Sequence, residues 1–134
     1  MELAILAQNI DSLSLALVVQ GNILHQRMVS GSPEQYLKLI DETLHEWGTV
    51  LSELSGVFIV TGPGSFTSSR VSTTIANTLA FALSIPVTAV ENPDHLSLEE
   101  LLRSTTIDRV TAPFALPSYN RPANITYPKA GPAS

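Results

Sequence analysis

Four residues in the middle of the chain, Gly62-Pro63-Gly64-Ser65, have the types and order of a loop that could bind an anion. They follow residues 57–60, an apolar and largely β-branched run that predicts a buried strand. A helix is predicted directly after them, with Ser65 or Thr67 as its N-cap. A helix that starts after a glycine turn points backbone N–H groups at one place, where a phosphate can bind. The candidate anion-binding residues are therefore Gly62, Gly64, Ser65 and Thr67, and a tight capped turn is the alternative.

Other chemistry is not supported by the residue types and spacings. The loop lacks the Lys-Ser or Lys-Thr pair of a Walker P-loop, and Ser65 does not lie in the G-x-S-x-G order of a hydrolase nucleophile. The three histidines show none of the one-turn pairing of a helical metal site. We therefore predict no catalytic residues, no metal and no cofactor, and a protein that is not an enzyme.

The elements around the loop alternate between strands and helices. Strands are predicted at residues 3–7, 12–19, 23–29, 57–60 and 86–90, and helices at residues 33–47, 67–84 and 96–102. An apolar first strand, a hairpin, and then alternating helices and strands predict an α/β fold. The expected architecture is a mixed five-stranded sheet with helices packed against it.

The helix predicted at residues 67–84 is unusual because no charged residue occurs between Arg70 and Glu91. A helix that covers one face of a sheet normally carries charges on its other side. The side predicted to face the sheet contains Val71, Ile75 and Leu79. The opposite, uncharged side contains Thr73, Asn77, Ala80 and Phe81. This pattern predicts a helix that is covered twice, by its own sheet and by another chain.

A membrane span is the alternative explanation for this uncharged helix, since the run is about long enough to cross a bilayer. Pro86 and the many Ser, Thr and Asn residues argue against it. We therefore expect no contact with a membrane.

Length and composition limit the remaining possibilities. The chain has 134 residues, a net charge of −5 and no cysteine. One globular domain is expected at this length. The acidic balance argues against direct binding to a nucleic-acid backbone, and the absence of cysteine excludes disulfides and thiolate sites. The N-terminus does not have the pattern of a signal peptide, so a cytoplasmic location is expected.

The glycine loop and its helix also carry a resemblance to a known family. Residues 62–67 and Arg70, followed by an uncharged helix that ends in Leu-Ser-Ile-Pro-Val, resemble the TsaB (YeaZ) family, which usually has GPGSFTGxR at this place. The order of elements over residues 1–92 is similar to that family. The segment Pro117-Ser118-Tyr119-Asn120-Arg121-Pro122 is similar to the P-x-Y-x-R segment that closes many members.

The resemblance implies a fold and a function. The implied fold is a ribonuclease H-like lobe of the actin-like/Hsp70-like ATPase superfamily. The implied function is that of a non-catalytic partner of TsaD, the transferase that makes threonylcarbamoyladenosine on tRNAs that read codons starting with A. In this role the protein would meet tRNA only indirectly, through the complex.

The resemblance also implies a partner surface, because family members pair through two helices of the N-terminal lobe. The predicted interface residues are Tyr36, Ile40, Leu44, Trp47, Arg70, Thr73, Asn77, Ala80 and Phe81. A homodimer through the same helices is the alternative to a TsaD-like partner. The alternative function is a small nucleotide- or phosphate-binding enzyme of the same superfamily that uses the Gly62–Ser65 loop.

Several features depart from the family pattern. The first strand ends in Ala7-Gln8-Asn9 where the family has Asp-Thr-Ser, so the phosphate-contacting acid is lost. Helix glycines of the family are replaced by Ser68, Ser72 and Thr78, and an early helix histidine by Gln35. At 134 residues, we also expect no second lobe. We therefore expect an N-terminal lobe at 1–92, a short linker or helix at 93–112 and a proline-rich tail at 113–134.

Overall fold

The computed structural model describes residues 1–104 and 109–115, which form one sheet with helices on both faces. The strands are β1 (Glu2–Leu6), β2 (Ser12–Val19), β3 (Asn22–Ser30), β4 (Gly56–Val60), β5 (Val87–Val90) and β6 (Val110–Ala112). The α-helices are α1 (Tyr36–Glu46), α2 (Phe66–Leu83) and α3 (Leu98–Arg103), and short 3₁₀ turns lie at Pro33–Gln35 and Leu51–Glu53. The predicted ranges of the two longer helices and the first five strands are close to those observed.

The sheet is mixed, with the strand order β3-β2-β1-β4-β5-β6. β1 pairs with β4 in parallel and β4 with β5 in parallel, whereas the pairs β1–β2, β2–β3 and β5–β6 are antiparallel. The predicted α/β architecture with a mixed sheet is confirmed. The structure adds a sixth strand, since β6 lies in the range expected to be a linker. Its three residues pair with β5, and the hydroxyl oxygens of Thr88 and Thr111 lie 2.9 Å apart.

The central strands are buried on both faces, which explains their continuous apolar runs. On one face, Leu3, Ile5 and other strand residues pack against α1 and α2. On the other face, Ala4, Ala16 and Phe58 pack against Leu98 and Leu101 of α3. The sheet therefore carries its two long helices on one side and its short helix on the other.

Local signals in the sequence place the ends of the two long helices. Ser65 is the N-cap of α2, and its side-chain oxygen accepts a hydrogen bond from the Ser68 backbone N–H at 3.3 Å. Gly48 follows α1 with φ of 77°, a left-handed conformation that glycine adopts readily after the end of a helix. Ser84 ends α2 in the same region, with φ of 56°.

The C-terminal predictions are covered only in part. The predicted closing segment Pro117–Pro122 and most of the proline-rich tail lie outside the described residues. Residues 113–115 are described, and Ala115 is buried in the same cluster as α1 and α2. Within the described ranges, no helix is long and apolar enough to cross a membrane.

Candidate functional site

The Gly62–Ser65 loop lies at the carboxyl ends of the three parallel strands, where ligands bind in many α/β proteins. Backbone hydrogen bonds join it to the segments that follow β1 and β5. The Ser65 N–H donates to the Gln8 carbonyl at 2.9 Å, and the Asn92 N–H donates to the Gly62 carbonyl at 2.7 Å. The loop is therefore held from both sides by its own chain.

Two buried side-chain amides, Gln8 and Asn92, complete this junction. Gln8 Nε2 donates to the Pro63 carbonyl and to the Asn92 carbonyl, the latter at 2.9 Å. Asn92 Nδ2 donates to Gln8 Oε1 at 2.7 Å and to the Leu96 carbonyl at 2.9 Å. The Leu96 N–H donates to Asn92 Oδ1 at 2.9 Å. Each side-chain amide thus uses both its donor and its acceptor groups inside the chain.

Gly64 is required by the close approach of this loop to the segment after β1. A Cβ at this position would lie 2.7 Å from the Gln8 carbonyl oxygen and 2.9 Å from the Gln8 Cβ. Both distances are shorter than contacts that real side chains make. The second glycine of the loop therefore serves packing against Gln8.

The candidate anion-binding residues are positioned as parts of a capped turn. Ser65 uses its N–H for Gln8 and its side-chain oxygen for Ser68, while Thr67 lies exposed on the first turn of α2. A cavity of about 950 Å³ lies beside the strand ends, with Thr61, Asn92 and Phe114 in its wall. Its wall also contains Glu91 and Asp94 and no basic residue among those described, an arrangement that does not favour phosphate. These contacts fit the capped-turn alternative better than an anion site.

No metal site is found among the residues that the structure describes. No group of three or more His, Asp or Glu side chains comes together there in a way that could hold an ion.

The predicted interface residues of α1 point mainly into the chain's own core. Tyr36, Ile40 and Leu44 are buried against the sheet, so the prediction that they form a partner surface is wrong. The reason is that the apolar stripe of an amphipathic helix is the stripe that covers its own sheet. Trp47 is half-buried, and its ring stacks on His25 of β3 with ring centroids 5.3 Å apart.

The predicted division of α2 into two sides is also partly wrong. Thr73 and Ala80 are 1% and 2% exposed, so their side chains are not available to another chain. The buried residues of α2 are mostly small: Ser68, Ser69, Ser72, Thr73, Ala76, Leu79 and Ala80. Small hydroxyl-bearing residues thus occupy core positions that the prediction did not assign to them. Val71, Ile75 and Leu79 do face the sheet as predicted: Leu79 is buried in the core, and Val71 and Ile75 pack against it half-buried.

Asn77 of α2 binds the chain's own C-terminal segment. Its Nδ2 donates to the Ala115 carbonyl at 2.8 Å, and its Oδ1 accepts from the Ala115 N–H at 2.7 Å. Part of the second cover that was predicted for α2 is therefore provided by Ala115 of the same chain. A second cavity, of about 560 Å³, lies between Ala80, Phe81 and Pro113.

The solvent-facing side of α2 forms a continuous, nearly uncharged stripe. Its exposed residues are Phe66, Thr67, Arg70, Thr74, Thr78, Phe81 and Ala82. Phe81 is 87% exposed, and Arg70 is the one charged residue of the stripe. The Arg70 guanidinium carbon lies 5.9 Å from the centre of the Phe66 ring. We call this set the α2 stripe. It retains Arg70 and Phe81 from the predicted interface.

One buried titratable group lies behind the loop. Burial raises the pKa of the Tyr36 hydroxyl above its ordinary value of 10.0, the nearby Ser68 side chain opposes this shift, and Asp11 adds to it. The hydroxyl also donates to the Asn9 carbonyl at 3.4 Å. Tyr36 thus links α1 to the segment after β1.

Gln8 and Asn92 were not among the predicted site residues. A signal for them exists in the sequence, because each follows a buried parallel strand by two residues. Carboxyl ends of neighbouring parallel strands meet at one edge of the sheet. Two amides at such positions could have been predicted to lie close together.

A family model described as "TsaD: tRNA N6-adenosine threonylcarbamoyltransferase" matches residues 25–117. The tRNA threonylcarbamoyladenosine biosynthesis protein TsaB of Haemophilus influenzae is 33% identical over 84 residues, which are 61% of this chain and 36% of that protein. TsaB of Bacillus subtilis is 34% identical over 58 residues, which are 43% of this chain and 25% of that protein.

A solved structure shows the same fold. YeaZ from Pseudomonas aeruginosa superposes with a TM-score of 0.57 at 28% identity, over 68% of this chain and 43% of the YeaZ chain. The predicted ribonuclease H-like fold is confirmed. The chain spans well under half the length of the curated relatives it matches.

Proposed function

The chain belongs to the family described as TsaD tRNA N6-adenosine threonylcarbamoyltransferase, in its TsaB/YeaZ branch, and from this premise we propose a partner role in tRNA threonylcarbamoyladenosine biosynthesis. In this role it binds a TsaD-like transferase and performs no reaction of its own. The complex modifies tRNAs that read codons starting with A in the cytoplasm, and this protein contacts tRNA only through the complex. The net charge of −5 supports indirect contact, because direct binding to a phosphate backbone needs clustered basic residues.

The observation that carries this proposal is the α2 stripe. A surface helix normally shows several charges to water, and this one shows Arg70 alone among small polar and apolar residues. Aromatic residues and arginine are enriched at the centres of protein interfaces, and Phe66, Arg70 and Phe81 supply both types. We therefore propose the α2 stripe as the surface that binds the TsaD-like partner.

The glycine loop supports a role without catalysis. Ser65 caps α2, and the side-chain amides of Gln8 and Asn92 form hydrogen bonds with the loop and with each other. A nucleophile or a phosphate site would need some of these groups to be free for a substrate. In the alternative function, the same loop would bind nucleotide. Calorimetry with Mg²⁺ and ATP distinguishes the two, and a Kd of about micromolar or tighter would favour the enzyme.

The binding test uses Phe81→Arg, co-expressed with the TsaD-like protein of the same organism. An unpaired guanidinium in a desolvated contact costs several kcal/mol, so the Kd should rise by roughly a hundredfold or more. The affinity is measured by analytical ultracentrifugation and the fold by circular dichroism. On a free surface the same substitution changes stability by only about 0.5 kcal/mol.

A matched control is Met28→Arg, because Met28 is also a large exposed side chain, 71% exposed, on the opposite face of the sheet. It should leave the affinity unchanged. Equal affinities of wild type and Phe81→Arg would reject the α2 stripe as the interface. Loss of a dimer by Phe81→Arg when no TsaD-like protein is present would instead favour self-association through the same surface.

A further inference from the structure

We propose that Gln8 and Asn92 are positioning residues whose paired amides hold the ends of β1, β4 and β5 together and fix the Gly62–Ser65 turn at the start of α2. This inference does not depend on the proposed partner.

The hydrogen bonds between the two amides are directional and complementary. Gln8 gives both donors of Nε2 to carbonyl oxygens, those of Pro63 and Asn92, and its Oε1 accepts from Asn92. Asn92 gives both donors of Nδ2 to Gln8 and Leu96, and its Oδ1 accepts from the Leu96 N–H. Both residues are buried, and a buried polar group that loses its partner carries the full cost of desolvation. All donor and acceptor groups of the two side-chain amides are therefore hydrogen-bonded within the chain.

The backbone of the same residues binds the loop as well. The Gln8 carbonyl accepts from Ser65, the N-cap of α2, and the Asn92 N–H donates to Gly62. The backbone groups of Gln8 and Asn92 thus contact the turn before α2 at both of its ends, and the Gln8 side chain contacts it at Pro63. Any displacement of Gln8 would be transmitted to Ser65 and the first turn of the helix.

A carboxylate could not replace the amide at position 8. It would offer no donor to the Pro63 and Asn92 carbonyl oxygens, and its negative charge would face both of them. Position 8, after the end of β1, therefore requires a side chain that both donates and accepts hydrogen bonds. The loop it holds has its Ser65 N–H already occupied, which leaves that group unavailable to an anion.

The first experiment uses the unmodified protein. Nuclear magnetic resonance gives exchange rates for side-chain NH₂ protons, and those of Gln8 and Asn92 should exchange at least about a hundredfold more slowly than those of exposed Gln20. Gln20 is the internal control because it lies in the turn between β2 and β3. Equal exchange rates for the three side chains would overturn the proposal.

The second experiment compares Gln8→Glu with Gln8→Met in urea unfolding from about pH 4, near the pKa of an unfolded Glu side chain, to about pH 8.5. Burial and the facing carbonyl oxygens raise the pKa of the introduced carboxyl in the folded chain. The folded state then binds more protons than the unfolded state, so stability falls as pH rises through this range. Across this pH range, the unfolding constant of Gln8→Glu divided by that of Gln8→Met should grow about tenfold for each unit by which folding raises the pKa of the introduced carboxyl.

The methionine variant removes the amide without adding a titrating group, so Glu91, Asp94 and Asp11, the acids nearest in sequence, contribute equally to both profiles. Parallel profiles for Gln8→Glu and Gln8→Met would overturn the proposal. If Gln8→Glu does not fold at any pH, the same urea unfolding is measured for Asn92→Asp across the pH range. Its unfolding constant is expected to rise as the pH rises. In Gln8→Met, faster hydrogen exchange at the Ser65 backbone N–H with unchanged exchange at the amides of β2 would support the proposal that Gln8 fixes the turn.

Discussion

Gly64 shows at the scale of one residue how tightly the glycine loop packs. Its position leaves no space for a side chain, since a Cβ would meet backbone and Cβ atoms of Gln8. Gly64→Ala is therefore expected to displace the loop or the end of β1, and overpacking of this kind costs about 1–3 kcal/mol. The free energy of unfolding in urea measures it.

Gly56→Ala is the control for this substitution. A Cβ at Gly56 would meet the Glu2 side chain at 3.4 Å, an ordinary contact with a flexible group. Its unfolding free energy should stay within about 0.5 kcal/mol of the wild type. Similar losses at both glycines would show that the contact with Gln8 has no special cost.

Tyr36 provides a prediction about pH. Because its pKa is raised in the folded chain, the folded state holds more protons than the unfolded state above pH 10.0, and stability falls as pH rises through this range. This contribution is fully present below the unfolded value and lost as pH passes the folded one. Tyr36→Phe should show a shallower decline above pH 10.0 in urea unfolding. If the stability of wild type and Tyr36→Phe fell equally with pH above 10.0, the raised pKa of Tyr36 would be contradicted.

At the scale of one element, the sequence predicts where α2 begins and ends better than which side is buried. Ser65 and the Ile85-Pro86 pair mark the ends through capping and proline chemistry, which are local. The buried side depends on how closely the helix approaches the sheet. Buried Ser69, Ser72 and Thr73 are polar by type, so hydrophobic periodicity alone assigns them to the surface. Their burial follows from their small size.

Asn77 gives the prediction for this element. Asn77→Ala removes two hydrogen bonds to the Ala115 backbone, so residues 113–115 should detach from α2 more often. We expect faster hydrogen exchange at the Ala115 N–H and a loss of about 1–3 kcal/mol in unfolding free energy. Thr78→Ala, at the exposed neighbour, is the control and should change neither quantity. Unchanged exchange at Ala115 in Asn77→Ala would show that the segment is held by other contacts.

At the scale of the whole molecule, the order of elements is enough to predict the mixed sheet, because the hairpin and the alternating helices leave few ways to connect it. The sequence does not reveal β6, whose three residues carry too little pattern to separate a strand from a linker. The Gln8–Asn92 pair is missed for a different reason. Its two members are far apart in the chain, and only the parallel pairing of β1, β4 and β5 brings them together.

The central place of β1 has a consequence for how the chain folds as it is made. Glu2 pairs with Val18 on one side and with Gly56 on the other, so β1 also pairs with β4, a strand that is synthesised much later than β1 itself. Local pairing forms faster than pairing across a long loop, and the β2–β3 hairpin is the most local pair in the sheet. In pulse-labelling hydrogen exchange during refolding, amides of β2 and β3 should gain protection before those between β1 and β4. Simultaneous protection of the β2–β3 and β1–β4 pairs would contradict this order. On the ribosome, β1 could pair with the β2–β3 hairpin early, but its other side would remain unpaired until β4, which ends at Val60, has left the exit tunnel.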